Sequence, residues 1–172
     1  MGIYLNPGNV SFGKTIRSEI YVDKTRLIAL TNKCLHTRDQ YICVSRPRQF
    51  GKSMTLEMLA AYYSRGCDSR DLFAAFKIAG EQSFEEHLNK YDVIYLNMQQ
   101  FLIEAKPGKV TEYLEREVLR ELGKVWGEFL VREDMGLAAA LREIFVNAGR
   151  QFIFLIDEWD CIMRERQDCE AL

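Results

Sequence analysis

The sequence predicts an α/β fold whose parallel strands are covered on both faces, and three observations lead there. Short β-rich apolar runs alternate with helical stretches along the chain. A Gly-Lys-Ser turn, Gly51 to Ser53, separates one such run from a strong helical stretch. A later run, Phe152 to Ile156, ends in two acids, Asp157 and Glu158.

The elements follow in order. Residues 1–20 hold Pro7 and three glycines and read as an irregular opening segment. A helix is expected next, with Asp23 as N-cap and Leu27, Ile28, Leu30 and Leu35 on its buried side. Tyr41 to Ser45, YICVS, reads as the first buried strand. Arg46 to Phe50 form a loop, and SMTLEMLAAYYSRG is helical, with Gly66 as its stop. Short helices are expected at Asp71–Phe76 and Phe84–Leu88. Val93 to Met98, VIYLNM, is the second strand. Long helical stretches run from Val110 to Val131 and from Leu137 to Ala148, ended by Gly149. In the first, Leu114, Val118, Leu119, Leu122, Val125, Trp126 and Phe129 share helical spacing and read as core. FIFLIDE, Phe152 to Glu158, is the third strand.

Bulk properties exclude several classes. With 172 residues, 48% hydrophobic and 28% charged, the chain suits one globular domain. A net charge of −2 gives no global pull towards nucleic acid or anionic membrane. No apolar run is long enough to span a bilayer, and the N-terminus lacks a signal-peptide core. The chain reads as intracellular, with a cytoplasmic location expected. The five cysteines form no C-x-x-C pair, and His36 and His87 are the only histidines. Reduced, packing cysteines are expected rather than a zinc site. Tyr62, Tyr63, Phe73 and Phe76 read as packing aromatics, not stacking platforms for bases.

Two segments compete as phosphate loops. GNVSFGKT, Gly8 to Thr15, fits G-x-x-x-x-G-K-[ST] in full. It lacks a strand to deliver it and a long helix to follow, so the match reads as chance. RPRQFGKS, Arg46 to Ser53, carries arginine at the first glycine position but has the strand before and the helix after. There, backbone N–H groups and a helix N-terminus can face phosphates. Gly51 allows close backbone approach, Lys52 supplies a point charge, and Ser53 can place its hydroxyl on Mg²⁺. Arg46 and Arg48 add positive charge, and Arg48, Phe50 and Met54 complete the expected nucleotide-binding set. Phe152–Glu158 has the matching Walker B form. Asp157, at the C-terminal end of its strand, can hold Mg²⁺. Glu158 can orient or deprotonate an attacking water.

These residues carry a family resemblance. RPRQFGKSMTLEMLAAYY, EIYVDKT (Glu19–Thr25) and LIDEWD (Leu155–Asp160) resemble the RPRRFGKS, YVDKT and LIDEYD segments of the bacterial and archaeal AAA-ATPase-like family. The resemblance covers nearly the whole chain. It implies an ASCE-type P-loop NTPase, a three-layer αβα fold binding ATP and Mg²⁺, and makes Arg46 a family trait. Carried over, Gly51, Lys52 and Ser53 bind phosphates and metal, Asp157 is the Walker B metal residue, and Glu158 is the catalytic glutamate. Asp23, Lys24 and Thr25 are placed on the base or ribose side, or Asp23 only caps a helix. Asn97 is either a hydrogen-bond partner of Glu158 or a solvated strand-end amide.

The family often continues into a PD-(D/E)xK nuclease-like domain. Such folds place a further strand between the first and third strands and another beyond, and neither is found in the sequence up to Leu172, so residues 1–172 read as the N-terminal part of a longer protein. In that case the first and third strands must pair directly or leave backbone groups unsatisfied. Two alternatives stand beside an ATPase. One is a nucleotide-dependent switch or scaffold without useful hydrolysis. The other is a metal-dependent nuclease built on Asp92, Glu104 and Lys106.

Overall fold

The computed structural model of the chain describes residues 2–45, 50–130 and 135–164. Its helices before the sheet are α1 (Val10–Thr15), α2 (Arg26–Cys34), α3 (Lys52–Tyr63), α4 (Arg70–Phe73) and α5 (Phe84–His87). Then come β1 (Asp92–Asn97), α6 (Met98–Glu104), α7 (Val110–Trp126), α8 (Leu137–Ala148) and β2 (Phe152–Asp157). The protein is therefore a mixed α/β structure with a small parallel sheet.

β1 and β2 pair in parallel, with Asp92 opposite Phe152 and Asn97 opposite Asp157. The C-terminal ends of the two strands, Asn97 and Asp157, thus meet at the same edge of the sheet. The alternation of a strand sends successive side chains to opposite faces. Val93 joins one apolar cluster with Ile28, Met58, Tyr62 and Phe73. Ile94 and Leu96 join another with Phe101, Val118, Leu122 and Ile144. Helices of the first half cover one face, and α6, α7 and α8 cover the other.

The opening segment is more ordered than its composition suggests. It contains α1, whose Phe12 is buried and stacks on Phe73 at 5.1 Å. Ahead of it, Leu5 forms an antiparallel bridge with Ile94, on the edge of β1 away from β2. Glu121 on α7 clamps this segment: its carboxylate accepts the backbone N–H groups of Ile3, Tyr4 and Leu5 at 2.8, 2.9 and 2.7 Å.

The first expected strand is overturned. Tyr41–Ser45 forms no strand and lies exposed, Tyr41 at 88%. An apolar run becomes a strand only with a ladder partner. Among the described residues β2 pairs with β1 alone, and Tyr41–Ser45 has no ladder partner. The first and third apolar runs therefore do not pair directly. Phe154 and Ile156 on β2 are likewise 44% exposed. Leu30 and Val125, expected in the core, face solvent; Ile28, Val118, Leu122 and Trp126 are buried as expected. Helix α6 was unforeseen, and α7 stops at Trp126 before a 3₁₀ turn at Gly127–Phe129.

Candidate functional site

The site begins at the start of α3. Gly51 adopts φ 74°, ψ 33°, the left-handed region that suits glycine. A Cβ there would also meet the Lys24 Nζ at 2.8 Å. Lys24 donates to the Phe50 carbonyl at 3.2 Å, and Thr55 returns its N–H and hydroxyl to the Gly51 carbonyl at 3.1 and 2.8 Å. The turn is thus held from both sides, and α3 opens with Lys52, Ser53 and Met54 facing a cleft.

That cleft, of about 720 Å³, is lined by Gly51, Lys52, Ser53, Met54, Asn97, Gln99, Asp157 and Glu158. Three segments distant in sequence converge there, from the start of α3, the junction of β1 and α6, and the end of β2. Phe50 is exposed and holds Lys24 through its carbonyl. Arg48, with Arg46, Pro47 and Gln49, lies outside the described residues.

Asp157 is 2% exposed. Its Oδ1 accepts the Glu158 N–H at 3.0 Å, while Oδ2 is buried with no hydrogen-bond partner. A buried carboxylate oxygen left this way is a costly arrangement unless a cation completes it. Behind it, the Tyr95 hydroxyl has its pKa raised, first by burial and then by the charges of Asp157 and Glu57.

Glu158 turns the chain out of β2 at φ 51°, a left-handed conformation in a residue that is not glycine. Its carboxylate Oε2 accepts a hydrogen bond from Arg164 Nη2 at 2.8 Å. Asn97 does not bond to Glu158; its Oδ1 accepts the Gln100 N–H at 3.2 Å and caps α6.

The chain matches the family model described as "Predicted AAA-ATPase" over residues 8–170. It belongs to the AAA-ATPase-like family. No curated protein and no solved structure matches it. The family's YVDKT segment does two jobs in this member. Asp23 accepts the N–H groups of Thr25 and Lys77, and Thr25 Oγ1 accepts that of Ile78, so these two brace the start of α2. Thr25, not Asp23, is the N-cap. Among the described residues it is Lys24 that reaches the loop, at the Phe50 carbonyl.

The full-pattern match at Gly8–Thr15 became α1, where Thr15 donates to Glu57 at 3.1 Å; Lys14 and Thr15 do not line the cleft. The nuclease constellation is not assembled. Asp92 starts β1 and is held by Asn6 at 3.0 Å and Arg65 at 3.7 Å. Glu104 ends α6, bonded to Gln100 and Tyr113. Among the described residues no group of His, Cys, Asp and Glu is clustered as a metal site, and Cys34, Cys43 and Cys67 are free thiols. No helix of the described residues is long and apolar enough to cross a membrane.

Sequence reasoning set Lys24 on the base or ribose side rather than against the Phe50 carbonyl, and it missed Gln99 in the cleft wall and Arg164 on Glu158. Arg164 had a readable signal, because Asp160 and Arg164 stand at i and i+4 where a helical turn begins.

Proposed function

We propose that the cleft binds ATP with Mg²⁺ and that the chain is the P-loop module of an ATP-hydrolysing multidomain protein, with Walker A at residues 46–53 and Walker B at 152–158. The observation that carries this reading is the convergence of Gly51–Ser53 and Asp157–Glu158 on one cleft. Family membership supports nucleotide binding. Strand-ends meeting a helix N-terminus agree with a three-layer P-loop architecture.

In this reading the amides at the start of α3 and the Lys52 ammonium bind the β- and γ-phosphates. Ser53 and the partnerless Oδ2 of Asp157 would hold the metal ion. Bound Mg²⁺ supplies neutralising charge on the phosphate oxygens. Glu158 orients the attacking water, and the half-enclosed cleft favours charge stabilisation over bulk solvation. Lys24 brings a second ammonium to the rim of the loop.

Titration with a fluorescent ATP analogue and Mg²⁺ tests the reading. The wild-type chain should bind, and Lys52→Ala should bind at least about tenfold more weakly, the loss of one charged phosphate contact. Equal binding by both proteins refutes it. Glu158→Gln should keep binding and lose turnover.

The second reading, a nucleotide-dependent switch, is favoured by one observation: Glu158 is held by an arginine rather than free in the cleft. Nucleotide binding with turnover unchanged by Glu158→Gln would select it. A cytoplasmic setting and a nuclease-like domain further along the same chain belong to the same proposal. Metal-dependent DNA cleavage by residues 1–172 would instead revive the nuclease alternative.

A further inference from the structure

We infer that Arg164 is a positioning residue for Glu158, which it holds in a resting place so that hydrolysis requires the guanidinium to let go. The inference rests on the nucleotide reading above and deepens it.

Three observations lead there. Arg164 Nη2 lies 2.8 Å from Glu158 Oε2, a charge-assisted hydrogen bond of ordinary length. It occupies an acceptor that a water in the cleft would otherwise use. The same guanidinium reaches Asp160 Oδ2 with Nε at 3.4 Å. Arg164 can therefore release Glu158 and keep a carboxylate partner, so exchange does not strand a cation. Finally, Glu158 sits at φ 51°, with its N–H fixed by Asp157 Oδ1 at 3.0 Å. The backbone is pinned, which leaves side-chain rotation as the motion available to this carboxylate. A residue held in the left-handed region beside a binding cleft is where a local switch is expected.

The pair is only partly shielded, with side-chain exposures of 36% for Arg164 and 26% for Glu158. The restraint is accordingly modest. Removing it should raise turnover about three- to tenfold, the range spanned by partly exposed and by charge-assisted pairs.

Single-turnover ATP hydrolysis should be measured for the wild-type chain, Arg164→Ala, Arg164→Lys, Glu158→Gln and the Arg164→Ala/Glu158→Gln double variant. Affinity for the fluorescent ATP analogue is measured alongside, with Lys52→Ala as control. Arg164→Ala should hydrolyse faster with affinity unchanged, and Arg164→Lys should fall between it and wild type. In the Glu158→Gln background the arginine substitution should change nothing, because its effect passes through that carboxylate. Slower or unchanged hydrolysis in Arg164→Ala overturns the inference, as does absence of hydrolysis in every protein. An equal gain in the Glu158→Gln background overturns it too. If Lys52→Ala binds as well as wild type, the nucleotide reading has failed, and this inference falls with it for that separate reason.

Discussion

Gly51 and Asp157 show how single residues shape the cleft. Gly51 is required twice, by its left-handed backbone and by the closeness of Lys24. The second demand is soft, since a lysine tip can move. The first is not. Gly51→Ala should cost about 1 kcal/mol of stability, read as a lower urea midpoint, and should weaken nucleotide binding. Asp157 is the opposite case, a residue kept in an awkward state. Asp157→Asn removes charge from a buried oxygen without a hydrogen-bond partner. Its melting temperature without metal is expected to hold or rise, while the Mg²⁺ dependence of nucleotide binding disappears. A fall in melting temperature with the Mg²⁺ dependence intact would mean that Asp157 is structural.

At the scale of elements, α3 depends on a residue from another part of the chain. Asn89, at φ 55°, donates through Nδ2 to the carbonyls of Ala61 at 3.1 Å and Ser64 at 2.8 Å. It also accepts the Ser69 N–H at 2.9 Å. These bonds satisfy carbonyls that the last turn of a helix leaves without partners. Asn89→Ala should cost about 2 kcal/mol in urea unfolding, because the Ala61 and Ser64 carbonyls each lose one of their donors, the Ser69 N–H loses its acceptor and φ becomes unfavourable. Asn89→Gly relieves the backbone and should cost less. Such a cap was not legible in the sequence, for it joins residues with no local relation. What was legible was local. Helical spacing marked α7, Gly149 marked the end of α8, and continuous apolar runs marked β1 and β2. YICVS misled because an apolar run reports readiness to pair, not the presence of a partner. The site followed the same division. Gly51–Ser53 and Asp157–Glu158 stood out as short motifs. Lys24 and Arg164 belong to the site through tertiary proximity or a single ion pair.

Across the whole molecule, buried polar contacts decide the response to pH. Burial pushes the His87 imidazole below its ordinary pKa, more than the Glu86 carboxylate restores, and His36 adds to the fall. Its Nδ1 sits 2.7 Å from the Tyr91 hydroxyl. The folded state thus binds the proton less readily than the unfolded state, whose value is about 6.5. The contribution of His87 is full above that value and is lost as pH falls below it. Urea midpoints should therefore drop between about pH 7.5 and 5.5, and His87→Gln should flatten that part of the profile. A profile unchanged by the substitution would assign the acid sensitivity elsewhere.

The clamp of Glu121 on Ile3, Tyr4 and Leu5 has a consequence for how the protein is made. Ile3, Tyr4 and Leu5 cannot dock until Glu121, 116 to 118 residues further along, has been made, and the sheet cannot close until Phe152–Asp157 follows. That segment therefore waits undocked while the residues between it and α7 are made, and this long-range contact forms late in the folding of the domain.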